Sequence, residues 1–219
     1  MTSDKPLRIM GIDPGTNRMG YGVLEVKGSS VSCIAMGDIE LGRLPDAYAK
    51  LHHIFERVSG LIEAYAPDEV ALESPFFGEN VQSMLKLGRA QGVAMAAALH
   101  REVPVFEYAP RRIKQSVTGV GGAAKEQVAS MLKSMLGVEY NPKRLDATDG
   151  LAVALCHYFV TTSPLPAEGT HPKSGRSGSS GSWEEFVARN PEREIKARRR
   201  NEHVIIQKSM KKILLIAAM

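Results

Sequence analysis

The chain has 219 residues and a formal net charge of +4, and hydrophobic residues make up 43% of it. This length and apolar content suit one folded domain with an ordinary core, followed by a tail. Neither of its two cysteines, Cys33 and Cys156, belongs to a C-x-x-C pair, which argues against a zinc site or a disulfide framework and favours a reducing compartment. The N-terminus has no apolar segment of signal-peptide length, and no apolar run reaches membrane-spanning length. We therefore expect a cytoplasmic protein with no membrane partner.

The positive charge is concentrated at the C-terminus. Residues 170–219 carry 11 Lys and Arg against 5 Asp and Glu, whereas residues 1–169 carry 17 against 19. Residues 164–182 are rich in Gly, Ser and Pro, which is typical of a flexible linker. We predict a folded domain over residues 1–162 and a flexible, basic C-terminal extension over residues 163–219. The net charge alone therefore does not indicate that the folded domain binds nucleic acid.

The first predicted elements are three strands. Leu7–Asp13 is a short apolar run that precedes Pro14-Gly15, and residues 20–27 and 31–41 follow with a Gly-Ser-Ser break between them. The remaining elements are a helix, a strand, a helix, a strand and then helices, predicted at residues 45–65, 69–73, 81–100, 103–107, 124–136 and 141–160. Strands first and alternation afterwards predict an α/β fold with a mixed five-stranded sheet flanked by helices.

Four acidic residues occupy positions where carboxylates can meet. Asp13 and Glu73 each end an apolar strand, and a single acid at a strand end is usually solvated or caps a helix. Two such acids are harder to explain in this way, because sites in α/β sheets form at strand ends. Asp146 and Asp149 are spaced i, i+3 in an otherwise apolar helix and therefore share one face. They either stabilise the helix N-terminus or bind a cation.

Oxygen donors without a His or Cys cluster favour Mg²⁺, or Mn²⁺, over zinc. In a nucleic-acid enzyme, clustered acids indicate phosphodiester hydrolysis by two metal ions roughly 3.5–4 Å apart. A negatively charged site repels a phosphodiester unless metal ions first neutralise it. We therefore expect two ions per site, held by Asp13, Glu73, Asp146 and Asp149.

Four separated segments resemble the RuvC family of bacterial junction resolvases. They are GIDPGTNRMGYGV at 11–23, ALESPFF at 71–77, VPVFEYAPRRIKQSVTG at 103–119 and NPKRLDATDGLAVAL at 141–155, and they occur in the family's order. The resemblance implies an RNase H-like fold, a homodimer, and paired symmetric nicks across a four-way DNA junction in recombination and repair. It implies the RuvA–RuvB branch-migration complex as a partner, and it places the family's catalytic acids at Asp13, Glu73, Asp146 and Asp149.

The same resemblance implies residues that contact DNA. Phe76 falls where the family places an aromatic ring beside the crossover, and Lys114 and Lys125 fall on basic positions. An exposed Phe76 ring could stack on an unpaired base, worth ~1–3 kcal/mol, or it could anchor its loop on the domain surface. Arg111 and Arg112 form a basic patch with Lys114. If this patch lies beside the carboxylates we expect it to contact phosphate, and otherwise it is a solvated face.

Several alternatives can be weighed from the residues. The Gly-rich segment 119–125 lacks the Gly-Lys-Ser/Thr ending of an ATP-binding P-loop, although it could deliver Lys125 to a phosphate. An actin-like or sugar-kinase ATPase, which Asp-Pro-Gly-Thr would fit, needs a second domain of similar size for which the chain has no room. A non-catalytic junction-binding module and a nuclease that cuts RNA–DNA hybrids stay open. His157 is expected to pack in the core, and Gly88 and Gly92 would allow close packing against their helix.

Overall fold

The structure is a computed structural model that describes residues 5–75 and 80–162. Within these ranges the chain forms five strands and five helices. In chain order they are β1 (Leu7–Asp13), β2 (Arg18–Lys27), β3 (Ser30–Glu40), α1 (Ala47–Tyr65), β4 (Glu69–Glu73), α2 (Val81–His100), β5 (Val105–Tyr108), α3 (Pro110–Thr118), α4 (Lys125–Leu136) and α5 (Asp146–Thr162).

The strands form one mixed sheet in the order β3-β2-β1-β4-β5, which confirms the predicted α/β architecture. The β1–β2 and β2–β3 pairs are antiparallel, whereas β1–β4 and β4–β5 are parallel. The central pair decides where the site forms. Ile12 pairs with Leu72, so the next residues, Asp13 and Glu73, leave neighbouring parallel strands at the same edge of the sheet.

Helices cover both faces of the sheet, and each face has its own apolar core. On one face α1 and α2 pack on side chains that include Met10 and Ile12 of β1. On the other face α3, α4 and α5 pack on side chains that include Ile9. Residues 9–12 of β1 are therefore all buried, as expected for a strand covered on both sides.

Helix α5 lies directly on the backbone of β1 and β2. All its residues from 150 to 157 are buried, which explains a sequence that is apolar all round. A Cβ atom added to Gly150 would lie 2.5 Å from Tyr21 Cα, and one added to Gly20 would overlap the Asp146 carbonyl oxygen. Only glycine permits this approach, and the contact fixes the position of the first turn of α5.

The start of α5 differs from the prediction. Residue 141 was expected to open the helix, but it forms a turn in which Asn141 Oδ1 accepts a hydrogen bond from Lys143 N at 2.9 Å and its carbonyl accepts one from Arg144 N at 2.9 Å. Such local side-chain bonds compete with helix formation. The helix begins at Asp146, so Asp146 and Asp149 both lie in its first turn.

Strand β5 also starts later than the predicted residue 103, because Val103 N donates to Ala98 O at the end of α2. Phe76 and the whole predicted C-terminal extension lie outside the described residues, so these two predictions are untested. No helix in the described ranges has the length and apolarity needed to cross a lipid bilayer.

Replacing Gly150 with Ala should destabilise the fold, because the added methyl group would meet the β2 backbone. Alanine favours a helix over glycine by about 1 kcal/mol, but we expect overpacking to outweigh this and leave a net loss of about 2 kcal/mol or more in urea unfolding. Gly60→Ala is the matched control, since Gly60 is exposed on α1 with no atom within 4 Å of the added Cβ. Equal stability of the two variants would show that α5 does not rest on β2.

Candidate active site

Three of the four predicted acids converge at the carboxyl edge of the sheet. Asp13 ends β1, Glu73 ends the neighbouring β4, and Asp149 lies in the first turn of α5. Together they line a cavity of about 160 Å³. The other residues of its wall come from three helices: Pro110, Ile113 and Lys114 from α3, Lys125 and Val128 from α4, and Ala152 from α5.

Asp146 stands beside this cavity and belongs to the same electrostatic cluster. It does not line the cavity wall, but its charge raises the pKa of both Asp13 and Asp149. On its other side, Asp146 Oδ2 lies 3.9 Å from Arg18 Nη1. Asp146 therefore connects the cavity to the outer strands of the sheet.

The carboxylates strongly disfavour each other's charged forms. Burial, followed by repulsion from Glu73 and Asp149, raises the pKa of Asp13 well above its ordinary value. Burial and then the charge of Asp149 raise the pKa of Glu73 from 4.5 to about 7. Burial also raises the pKa of Asp149, although the hydrogen bond from Lys125 opposes that shift. The site holds more negative charge than its own surroundings neutralise.

Two lysines supply the opposing charge. The Lys125 ammonium donates a hydrogen bond to Asp149 Oδ2 from the first residue of α4. Lys114 lines the same cavity from α3, and its charge lowers the pKa of Glu73 and Asp149. Both lysines predicted to handle DNA therefore stand beside the acids.

The donor set suits a hard divalent cation, since three carboxylates line the cavity. His157 is buried elsewhere, where its ring lies 2.6 Å from the Tyr108 hydroxyl and 2.7 Å from Glu69 Oε2, which confirms the expected packing role. Within the described ranges, no three acidic, His or Cys side chains already stand close enough to hold one ion together. A cation bound by these carboxylates would compete with Lys125 for Asp149.

Arg111 and Arg112 do not line the cavity, although they precede Lys114 on the same helix. Arg112 acts instead on Tyr108, where its charge opposes the rise that burial causes in the pKa of that hydroxyl. Arg111 packs against the loop at Gly121. The predicted basic patch thus divides, with only Lys114 directed at the carboxylates.

A charged network next to Asp146 was not predicted from the sequence. Arg18 Nε donates to Glu40 Oε2 at 3.0 Å, and Arg144 Nη2 donates to Asp38 Oδ2 at 2.5 Å. The register of the β2–β3 hairpin pairs Arg18 with Glu40 and would have indicated the first contact. The predicted β2 began at residue 20, which left Arg18 outside the strand.

The sequence is similar to those of a known protein family. The profile described as "Crossover junction endodeoxyribonuclease RuvC" matches residues 9–157. The protein of that name from Bacteroides fragilis is 56% identical over 187 residues, covering 84% of this chain and 94% of the relative. The one from Cytophaga hutchinsonii is 55% identical over 185 residues, covering 84% of this chain and 86% of the relative.

Solved structures that resemble this fold include a member of the same family. The Thermus thermophilus RuvC structure in complex with a Holliday junction substrate has a TM-score of 0.65 at 34% identity and covers 71% of this chain and 94% of its own. The yeast mitochondrial Holliday junction resolvase Ydc2, with a TM-score of 0.52 at 15% identity, shares the fold. The chain therefore has the RNase H-like fold and belongs to the RuvC family of crossover junction endodeoxyribonucleases, which are metal-dependent nucleases.

Proposed function

We propose that this chain resolves four-way DNA junctions by metal-dependent hydrolysis, with Asp13, Glu73, Asp146 and Asp149 as the catalytic metal ligands. The observation that carries the proposal is the convergence of Asp13, Glu73 and Asp149 on one cavity that two lysines also line. The related structure bound to a Holliday junction substrate supports the choice of DNA. Paired nicks of this kind would serve recombination and repair in the cytoplasm.

Mg²⁺ or Mn²⁺, proposed as two ions per site, would lower the pKa of the attacking water and neutralise charge on the scissile phosphate. The protein's own part is to hold the acids in place. β1 and β4 fix Asp13 and Glu73 side by side, and α5 presents Asp149 from the opposite side. The cluster repels phosphate until its charge is neutralised, so DNA binding in the reactive position depends on prior cation binding.

We assign Lys125 and Lys114 to phosphate contact. Lys125 pairs with Asp149 and is more than half exposed, so its ammonium can turn towards DNA when a cation takes its place. Lys114 lines the same cavity from α3, where its charge can meet a phosphate oxygen. Arg111 and Arg112 would contact the DNA backbone farther from the cut.

Phe76 follows Glu73 by three residues in the sequence, a separation that would allow both to meet the same DNA strand. We propose that the ring stacks on a base at the crossover, as the family resemblance implies. The RuvA–RuvB complex is the proposed partner on the same ground.

We further propose that the protein is a homodimer, because two symmetric cuts need two symmetric sites. Helix α2 offers a surface for the contact. Val81, Leu85 and Leu99 are 63%, 52% and 58% exposed, and they share one face with Gly88 and Gly92. A Cβ added to either glycine would have no described atom within 4 Å, so nothing within the described chain uses the close approach that they permit. We call this face the α2 stripe.

Asp13→Asn and Asp149→Asn should abolish Mg²⁺-dependent cutting of a synthetic four-way junction while junction binding persists. Loss of several kcal/mol of metal-ion stabilisation corresponds to a rate loss of roughly a hundredfold or more. Glu56→Gln, on the exposed surface of α1, is the control and should cut normally. Assays on linear duplex and on RNA–DNA hybrid test the substrate class. Normal cutting by either Asp variant would refute the assignment of that acid.

Glu73→Gln should stabilise the metal-free protein above neutral pH. The folded protein holds the Glu73 proton more tightly than the unfolded chain, because the pKa rises from 4.5 to about 7 on folding. The free energy of unfolding of the wild type should therefore decrease as the pH rises through this range. We expect equal melting temperatures near pH 4.5 and a higher one for the variant at pH 8 in EDTA. A variant that melts lower than the wild type at pH 8 would contradict the electrostatic account.

Leu85→Glu should convert the dimer to monomers, because a charge in the middle of the α2 stripe would be buried against the partner. Sedimentation velocity measures the change, and paired cutting of one junction should decline with it. Gln82→Glu adds the same charge to α2 away from the stripe and should leave the dimer intact. If the Leu85→Glu variant dimerises as strongly as the wild type, the interface lies elsewhere on the protein.

A further inference from the structure

A second cavity lies on the opposite face of the sheet from α5, and neither the catalytic acids nor the α2 stripe uses it. Its volume is about 290 Å³, and its walls come from α1, α2, the turn after β1 and the segment between β3 and α1. We call it the α1–α2 cavity. Its floor is apolar, formed by Leu41, Leu44, Leu51, Ile54 and Ala90.

The rim of the α1–α2 cavity is positively charged. Lys50, Lys86 and Arg89 line it, with Asp46 as the only acid among its lining residues. Asp46 Oδ1 accepts a hydrogen bond from Ala49 N at 2.8 Å and so caps α1. Lys86 and Arg89 are exposed and have no ion pair or hydrogen bond with any residue in the described ranges. These two cations are available for an anionic ligand, in a domain whose sequence is otherwise slightly acidic.

The α1–α2 cavity adjoins the catalytic site. Gly15 and Thr16 line it, and they lie two and three residues after Asp13 in the chain. Lys50 Nζ donates to Thr16 O at 2.9 Å and ties α1 to this turn. A smaller cavity lined by Asp13, Pro14, Glu73, Ser74, Pro75 and Leu87 lies along the same turn and the same helix. The lining residues of the two cavities follow one another along this turn and along α2, so a DNA strand bound over the acids could extend towards Lys86 and Arg89.

We propose that the α1–α2 cavity is a nucleotide subsite, which holds one nucleotide of the junction strand next to the scissile phosphate. Lys86 and Arg89 bind its phosphate, and the apolar floor receives the sugar and base. The volume is at the lower end of the ~300–1,000 Å³ typical of ligand pockets, which suits a single nucleotide. The aliphatic floor favours recognition by shape over reading of base edges. This inference rests on the proposed function, because it assumes that the acids cut DNA.

The phosphate contacts can be tested by the salt dependence of junction binding. The full chain with Asp149→Asn binds without cutting, and Lys86→Ala with Arg89→Ala is added to it. Each neutralised phosphate contributes about 0.7–0.9 to the slope of log K against log salt, and Lys86 and Arg89 share one phosphate, so we expect the slope to become shallower by about 0.7–0.9. The control pair, Lys27→Ala with Lys133→Ala, removes the same charge from ion pairs outside the cavity and should leave the slope nearly unchanged.

Occupation of the cavity needs its own test, carried out in the otherwise wild-type chain. Ala47→Trp places a large ring at the cavity wall and should lower junction cutting at least severalfold without changing the melting temperature or its shift with Mg²⁺. Ala64→Trp makes the same change on an exposed part of α1 outside the cavity and is the control.

The results separate this inference from the proposed function. A reduced salt slope together with slow cutting by Ala47→Trp supports the nucleotide subsite. Unchanged slopes overturn it, and so does full activity of Ala47→Trp, since DNA would then pass without entering the cavity. If the wild-type chain cuts junctions and both sets of variants match their controls, the nucleotide subsite is overturned and the proposed function stands. If the wild-type chain cuts no junction, the nucleotide subsite and the proposed function are both overturned.

Discussion

The contact between the α5 backbone and the strands β1 and β2 is the constraint on which the site depends. Gly20 and Gly150 remove the side chains that would hold these elements apart, so the first turn of α5 reaches the end of β1. Asp149 then faces Asp13 across a small cavity, and the parallel pairing of β1 with β4 adds Glu73. Residues separated by more than 130 positions in the chain thus meet because two backbones can touch. A fold with ordinary side-chain spacing between helix and sheet would leave the acids on separate surfaces.

This convergence opposes folding as well as making catalysis possible. Each carboxylate loses water on burial and gains like-charged neighbours, and both effects raise the pKa values of Asp13 and Glu73. Lys125 and Lys114 offset part of the repulsion, and the apolar packing of α5 against the sheet must supply the rest. The same excess of negative charge would attract a cation. Stability in the metal-free state and the proposed capacity to bind metal would therefore act against each other at the same side chains.

The sequence predicted the strands well, and it located the candidate acids, because both depend on local pattern. Apolar runs that end in Asp13 and Glu73 are visible without any tertiary information, and only their neighbouring positions in the sheet required the structure. The start of α5 was wrong because an Asn141 turn replaced the expected helical turn. The network at Arg18 was missed because it depends on the register of a hairpin. No local pattern could have shown the division of the basic patch or the α1–α2 cavity, whose lining extends from Gly15 to Ala90.

The turn after β1 connects the two faces of the sheet. Asp13, at its start, belongs to the carboxylate cavity on the α5 side, whereas Thr16 borders the α1–α2 cavity and is held there by Lys50. A ligand bound on one side must therefore act on the backbone that positions Asp13 on the other. A phosphate held by Lys86 and Arg89 would order this turn, and with it the carboxylate that must bind metal. Substrate binding and assembly of the catalytic site would then be coupled through the four consecutive residues of the Asp-Pro-Gly-Thr segment.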